Sequence, residues 1–286
     1  MPSFDRSHLP PALYEFVAIA DTHYMLDPGG RALEFESRRR QSARADYALA
    51  CVAALEAPLV IHMGDLVQEF PERPGFSQAM SEARDQLARH GVQPRFVAGN
   101  HDVGDKPDPT MPTAWATAAA LTDQHGRFGP SWASWDEGDL HFVILNSQIM
   151  NGPLPEAEEQ ACWLEADLAS HRDRRVFVFI HLPPFLHSSG EPGLGHYDNI
   201  DEPARGWLLD LLEKAPVELV LAAHVHWSFV NRIGPADYLT TPSVAFTRPG
   251  FGELFSSAPA DEQGATTWPS WASFWYASTR MAIAST

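Results

Sequence analysis

Phe96-Val97-Ala98-Gly99-Asn100-His101-Asp102 is a short apolar run that ends in glycine and then delivers three adjacent side chains able to hold a metal or move a proton. On its own the tetrapeptide Gly99-Asn100-His101-Asp102 is a modest signal, because Asn and Asp are also common turn formers. Its weight comes from the other places where an apolar run stops on the same chemistry: Asp21-Thr22-His23, Gly64-Asp65, His181 and His224-Val225-His226. Five such strand ends exceed what turns require, and together they read as one two-metal hydrolytic site.

Working outward, residues 15–20 form the first expected strand. Asp21 and His23 then lie two apart, so on an extended backbone they face one side and reach one ion. Residues 58–63 form the second strand. It stops at Gly64, which lets the backbone come close to a metal, and at Asp65, whose two oxygens suit a bridge. His62, inside that run, reads as a satisfied core histidine. Further strands are expected over 95–98, 140–145, 175–180, 217–222 and 238–246, with Asn146-Ser147-Gln148 closing the 140–145 run. Helices are expected over 33–56, 77–90, 113–124, 155–170 and 203–214, with Gly91 and Gly126 as stops and Pro155 as a favourable start. The prolines and aspartates of 105–112 make a loop over the site. Strand and helix alternate, so the class is α/β with the chemistry gathered at one sheet edge.

Composition bounds the partners. A formal charge of −17 over 286 residues argues against a nucleic-acid backbone or an anionic membrane as the main partner. No apolar segment approaches bilayer length and residues 1–14 lack an apolar leader core, so a cytoplasmic protein is expected. Cys51 and Cys162 fall in expected helices, away from any ligand spacing, and read as reduced core thiols. Arg38-Arg39-Arg40 reads as one solvated helix face, and His8, His90, His125, His141 and His171 as ordinary surface or core residues. From about residue 250 the pattern weakens into an aromatic-rich tail with Trp268, Trp271, Phe274, Trp275 and Tyr276: a packing flap, a lid edge or a partner surface.

The five blocks, in this order, resemble the calcineurin-like metallophosphoesterase superfamily over about residues 15–247. The resemblance implies a four-layer αββα sandwich of two mixed sheets flanked by helices, forming one domain over residues 1–286. It implies a dinuclear metal centre. Asp21, His23 and His226 resemble the ligands of one ion, Asn100, His181 and His224 those of the other, and Asp65 the bridge. His101 resembles the residue that contacts the phosphoryl group or protonates the leaving oxygen, with Asp102 as its orienting partner. Imidazole and carboxylate ligands suit Mn, Fe or Zn. Two divalent ions bring +4, and Asp21, Asp65 and a bridging hydroxide bring −3, so the site carries about +1 and accepts an anionic substrate.

Departures narrow the branch. Ala223 stands where Gly is usual, and Leu66-Val67-Gln68 after Gly64-Asp65 contains neither the tyrosine of purple acid phosphatases nor the Asp-Arg-Gly of calcineurin-type Ser/Thr phosphatases. A closer likeness is to the calcineurin-like phosphoesterase domain-containing subfamily of cytosolic protein phosphatases. It is carried by Gly64-Asp65-Leu66-Val67 with Phe70-Pro71, by Gly99-Asn100-His101-Asp102-Val103-Gly104, and by Leu145-Asn146-Ser147-Gln148. That subfamily often lacks His at the position of His23, which is present here. The expected activity is hydrolysis of phosphomonoesters, in small molecules or phosphoproteins, by a metal-bridged hydroxide. The alternatives are a phosphodiesterase for cyclic nucleotides or other diesters, and a non-catalytic protein-binding scaffold. Lys106, Arg232 and Arg248 are the candidate cations near the motifs.

Overall fold

The apolar runs are continuous rather than alternating because their strands are covered on both faces. In β1 (Tyr14–Ile19), Phe16 and Ala18 point one way and Val17 and Ile19 the other, and all four are buried. The same period-two split runs through β6 (Arg175–Ile180), with Phe177 and Phe179 on one face and Val176, Val178 and Ile180 on the other. The structure, a computed structural model, describes residues 4–5, 7, 11–33, 36–191 and 197–247, together with the backbone of 274–278.

Two sheets result. In the first, β1, β2 (Leu59–His62) and β3 (Arg95–Phe96) are parallel, and β10 (Phe274–Ser278) adds antiparallel to β1. In the second the order is β4 (Ala133–Glu137), β5 (Leu140–Leu145), β6, β7 (Val217–Ala222), β9 (Ala236–Thr240) and β8 (Val230–Ile233). Here β5, β6, β7 and β9 are parallel, flanked by antiparallel β4 and β8.

Between the sheets lies a phenylalanine layer. Phe16 meets Phe142, Phe177 and Phe179 edge-on, with centroids 6.0, 6.3 and 5.4 Å apart, the arrangement aromatic quadrupoles favour. Outside the first sheet, α1 (Gln41–Leu55) and α2 (Phe76–Arg89) bury Leu49, Val52, Met80 and Leu87. Outside the second, α5 (Pro155–Ser170) and α6 (Ala204–Glu213) bury Leu164, Leu168, Leu208 and Leu212. These four layers are the expected αββα sandwich.

Several boundaries differ from the sequence reading. Helix α4 (Ala118–Phe128) starts at an N-cap supplied by Thr117, whose hydroxyl accepts from the Ala120 N–H at 3.2 Å, so residues 113–117 are not helical. Gly126 is carried inside that helix, which stops at Gly129 instead. The strand expected over 238–246 ends at Thr240, and 243–246 turns beneath the site. Strands β4 and β8 have no clear apolar pattern in the sequence, and β10 falls in the aromatic tail. Cys162 is exposed and Cys51 half-buried, so neither is a core thiol, and both are free. Trp268 and Trp271 lie outside the described residues, as do His8 and Arg248. Among the described residues, no helix is long and apolar enough to cross a membrane.

One buried polar cluster pins β4 and β5 to α5. His141, 1% exposed, donates from Nδ1 to Asp136 Oδ1 at 2.7 Å and from Nε2 to Asp167 Oδ2 at 2.8 Å. His171 stacks on it at 3.7 Å and donates to the Asp167 carbonyl at 2.7 Å, Ser134 donates to Asp167 at 2.8 Å, and Arg174 lies 4.0 Å from Asp136. Burial opposes charge on His141, but the two carboxylates outweigh it and hold its pKa above the ordinary 6.5. The stabilisation is therefore full just below that ordinary value and is lost as pH rises through the raised folded one. His141→Gln is expected to cost roughly 1–2 kcal/mol by urea titration at pH 6, and clearly less at pH 9. An equal cost at both would mean that the imidazole is neutral in the native protein.

Candidate metal centre

The site sits where strand ends of both sheets meet. Beyond β1 lie Asp21 and His23, beyond β2 Asp65, beyond β3 the single turn α3 (Asn100–Val103), beyond β6 His181, and beyond β7 His224 and His226. Asp21, His23, Asp65, His224 and His226 all have left-handed backbone, with φ of 52°, 43°, 55°, 68° and 56°. They are five of the eight non-glycine residues with positive φ among the described residues. Such a backbone costs ~1–2 kcal/mol per residue, and concentrations of it mark functional sites. It also corrects one expectation. Asp21 and His23 meet because the chain curls back after β1, not because they sit two apart on an extended strand.

The curl is held by backbone pairing. Asp21 N–H donates to the Gly64 carbonyl at 3.1 Å and His23 N–H to the Asp65 carbonyl at 3.0 Å. From below, Ala245 N–H and Ser243 Oγ both donate to the Asp21 carbonyl, at 3.1 and 3.0 Å. Gly64 and Gly99 allow the two loops to touch. A Cβ on Gly64, where φ is 101°, would come within 2.6 Å of His181 Nδ1, and one on Gly99 within 2.8 Å of His181 Cε1. Ala223 is outside the positive-φ set and is buried between the sheets, so its methyl needs no adjustment.

Two triads converge on one carboxylate. Asp21, His23 and His226 present ligand atoms within 4.8 Å of one another, as do Asp65, His181 and His224. Asp65 Oδ2 lies 3.6 Å from His23 Nε2 and 3.4 Å from His181 Nε2, while its Oδ1 accepts the His101 N–H at 2.9 Å. His23 Nε2 stands 3.0 Å from His226 Nε2, and His181 Nε2 3.2 Å from His224 Nδ1. The remaining ring nitrogens of three imidazoles are spent on carbonyls: His181 on Met63, His226 on Phe246 and His224 on Tyr197, at 2.8, 2.9 and 2.8 Å. Such outer bonds orient ligand imidazoles and aim the other nitrogen inward.

The donor set fits cations. Both oxygens of Asp21, wholly buried, have no hydrogen-bond partner, and neither has Asn100 Oδ1. The Asn100 amide is turned that way by its nitrogen, which donates to Asp105 Oδ1 at 2.8 Å and to the Tyr197 hydroxyl at 3.0 Å. A buried carboxylate with no donor is costly unless a positive charge faces it. Burial opposes ionisation of Asp65, but His181, His101 and His23 hold it well below the usual carboxylate range. Burial also opposes charge on His181, yet Asp65 and Asp21 push it up to about 9. His23, buried and beside His101, falls well below the ordinary imidazole range. A nitrogen, oxygen and imidazole set without thiolate matches Mn, Fe or Zn.

His101 and Asp102 separate. His101 Nδ1 donates to the Gln68 carbonyl at 2.9 Å and its ring stacks on Phe70 at 3.8 Å. Asp102 is not its orienting partner. Asp102 Oδ2 accepts from Asp65 N–H and Gly99 N–H, both at 2.8 Å, and Oδ1 from Leu66 N–H at 3.2 Å. Two backbone donors from the loop that carries the bridge candidate, and one from Gly99 in the loop after β3, occupy both its oxygens. Burial and the Asp65 carboxylate push its pKa up to about 7 against those donors.

Other expectations shift too. His62 stays beneath the site, bonded to Thr22 Oγ1 at 3.0 Å and stacked on Phe96, and burial takes its pKa down to about 3. Lys106 is held by Asp201 at 2.9 Å and Arg232 by Asp237 at 2.7 Å, so neither cation turns to the centre. Arg38 does, correcting its reading as a solvated helix residue. Its guanidinium lies 4.4 Å over Phe246 and bonds Gln41 and Gln68 at 2.8 and 2.6 Å, and Gln41 in turn donates to the His23 carbonyl at 2.8 Å. Its sequence signal, a basic run before a helix, is the same as that of an exposed face. A further group, Asp136, His141 and His171, has metal-compatible spacing, but both His141 nitrogens already serve carboxylates.

The calcineurin-like phosphoesterase family profile matches residues 14–228. The chain is 29% identical over 177 residues to the serine/threonine-protein phosphatase CPPED1 of Danio rerio, covering 58% of this chain and 53% of that protein. It is 30% identical over 171 residues to the Bos taurus protein of the same name, covering 57% and 51%. The chain thus spans about half the length of the curated relatives it matches. A solved dimetal phosphatase from Danio rerio superposes with a TM-score of 0.60 at 16% identity, over 82% of this chain and 89% of that one, a likeness of fold.

The position of Asp102 generates a test. Asp102→Ala leaves three N–H groups unpaired, at roughly 1–3 kcal/mol each, two of them in the loop that aims Asp65. The variant is expected to lose at least about 2 kcal/mol of stability and to bind metal weakly, read by denaturant titration and elemental analysis. Full metal content and stability with only a slower turnover would restore Asp102 as a partner of His101.

Proposed function

Since the chain belongs to the calcineurin-like phosphoesterase family, we propose that it is a metal-dependent phosphoester hydrolase whose preferred substrates are phosphomonoesters. The observation that carries this reading is the Asp65 carboxylate shared between two ligand triads, with Oδ2 3.6 Å from His23 and 3.4 Å from His181. Asp21, His23 and His226 would hold one ion, Asn100, His181 and His224 the other, and Asp65 both. Bound ions would supply Lewis-acid polarisation of the phosphoryl group and an activated water.

The protein's own groups complete the chemistry. With Nδ1–H fixed on the Gln68 carbonyl, His101 keeps Nε2 for the ester, and protonated Nε2 donates to the leaving oxygen. Burial lowers the His101 pKa, which makes the imidazolium a ready proton donor. Phe70 stacking and the edge contact of His23 at 4.6 Å restrict its ring to one orientation. Arg38, one layer behind His23 and His101, adds positive potential for a dianion in a protein of charge −17. That potential and the phosphatase names of the curated relatives favour monoesters over diesters.

His101→Ala is expected to lower kcat by roughly 10²–10⁴-fold, with a smaller loss for nitrophenyl than for alkyl phosphates, because a weakly basic leaving group needs less protonation. Equal losses would reduce His101 to a positioning role. In the wild-type protein, kcat/KM for p-nitrophenyl phosphate and a phosphopeptide is expected to exceed that for bis-p-nitrophenyl phosphate and 3′,5′-cyclic AMP. A tenfold preference for either diester would replace this reading by the diesterase one, and no turnover with Mn, Fe or Zn would point to a scaffold.

A further inference from the structure

Among the described residues, two side chains have both polar atoms buried and without a hydrogen-bond partner: Asp21 and Gln148. A cation accounts for Asp21. Nothing in the metal centre accounts for Gln148, which is 1% exposed, with Oε1 and Nε2 both unpaired. Burying an unpaired amide is costly, and native proteins satisfy nearly all such groups.

Gln148 does not hang from a loose loop. It is the middle residue of a short 3₁₀ turn, Ser147–Ile149, at the C-terminal end of β5. Asn146 ahead of it is clamped to α5 by reciprocal bonds with the Gln160 amide at 2.8 and 3.0 Å, and Asn146 Oδ1 accepts the Gln148 N–H at 3.0 Å. Its two chain neighbours tie the turn to the two segments that carry ligands of the second triad side. Ser147 Oγ accepts the N–H of Leu182, next to His181, at 3.0 Å, and Ile149 packs with Ala98 and Val103, on either side of Asn100. A rigid turn, tied through Ser147 and Ile149 to the His181 and Asn100 segments, thus carries an unsatisfied, buried carboxamide.

We propose that Gln148 is a substrate-positioning residue, whose Nε2–H donates to a non-bridging oxygen of the bound phosphate ester. A neutral donor at this place suits a phosphoryl oxygen, and its stability cost in the resting protein is the sign of a group kept for a ligand. The inference rests on the phosphoesterase reading.

The test uses the full chain loaded with Mn and inorganic phosphate as the probe. Gln148→Met, of similar shape and without polar atoms, is expected to raise Tm by about 2–4 °C, since it removes an unpaired amide. It is also expected to weaken phosphate about 10-fold or more by calorimetry, with KM for p-nitrophenyl phosphate rising in step. Gln148→Glu, which keeps the shape and loses the donor, is expected to weaken phosphate at least as much. A fall in Tm for Gln148→Met would show that the amide is already satisfied in the resting protein and overturn the proposal. Unchanged phosphate affinity in Gln148→Glu would overturn it as well, whatever Gln148→Met does to folding. If the loaded wild type neither binds phosphate nor hydrolyses esters, the phosphoesterase reading itself fails. If it does both and the variants match it, only the role of Gln148 fails.

Discussion

His23 Nε2 and His226 Nε2 face each other at 3.0 Å, beside an Asp21 carboxylate to which nothing donates a hydrogen bond, among buried side chains. On the other side of Asp65, His181 Nε2 and His224 Nδ1 face each other at 3.2 Å. With neutral rings, at most one nitrogen of each facing pair can carry a proton, and the paired lone pairs and carboxylates leave a deficit of positive charge. Protons can fill it partly, as the raised pKa of His181 indicates. Two cations would fill it, and a site built this way would bind metal in exchange for protons.

The rest of the fold supplies rigidity for that arrangement. Five ligand candidates sit in left-handed backbone, each at a cost of ~1–2 kcal/mol, comparable to burying one large apolar side chain at ~1.5–3 kcal/mol. The phenylalanine layer around Phe16, Phe142, Phe177 and Phe179 lies between the strands whose ends carry the ligands, and it fixes the two sheets against each other. Asp102 then ties the β2 and β3 loops together through Gly99, Asp65 and Leu66, and Ser243 with Ala245 closes the β1 loop from beneath. Strain at the centre is sustained because none of these elements can relax alone.

Much of this was legible in the residues. The runs at 140–145, 175–180 and 217–222 are strands to the residue, because strands buried on both faces must be apolar throughout. The ligand candidates were legible because polar residues that directly follow such runs emerge together at one sheet edge. What was not legible depends on contacts distant in sequence. Chain order places Asp102 beside His101, whereas its oxygens serve Asp65 and Leu66, in the loop after β2. Arg38 belongs to a basic run indistinguishable from a solvated one until Phe246 and Gln68 are placed beside it. The edge strands β4 and β8 are half-exposed and carry polar residues, so no buried-strand pattern announces them.

Sharing of one Asp65 carboxylate oxygen by two metal ions is the feature on which the proposed chemistry depends. Anomalous-difference maps from crystals of the Mn-loaded protein test it directly. Two peaks are expected on opposite sides of Asp65 Oδ2, one enclosed by Asp21, His23 and His226 and the other by Asn100, His181 and His224. A single peak, or a pair of which Asp65 contacts only one, would contradict it.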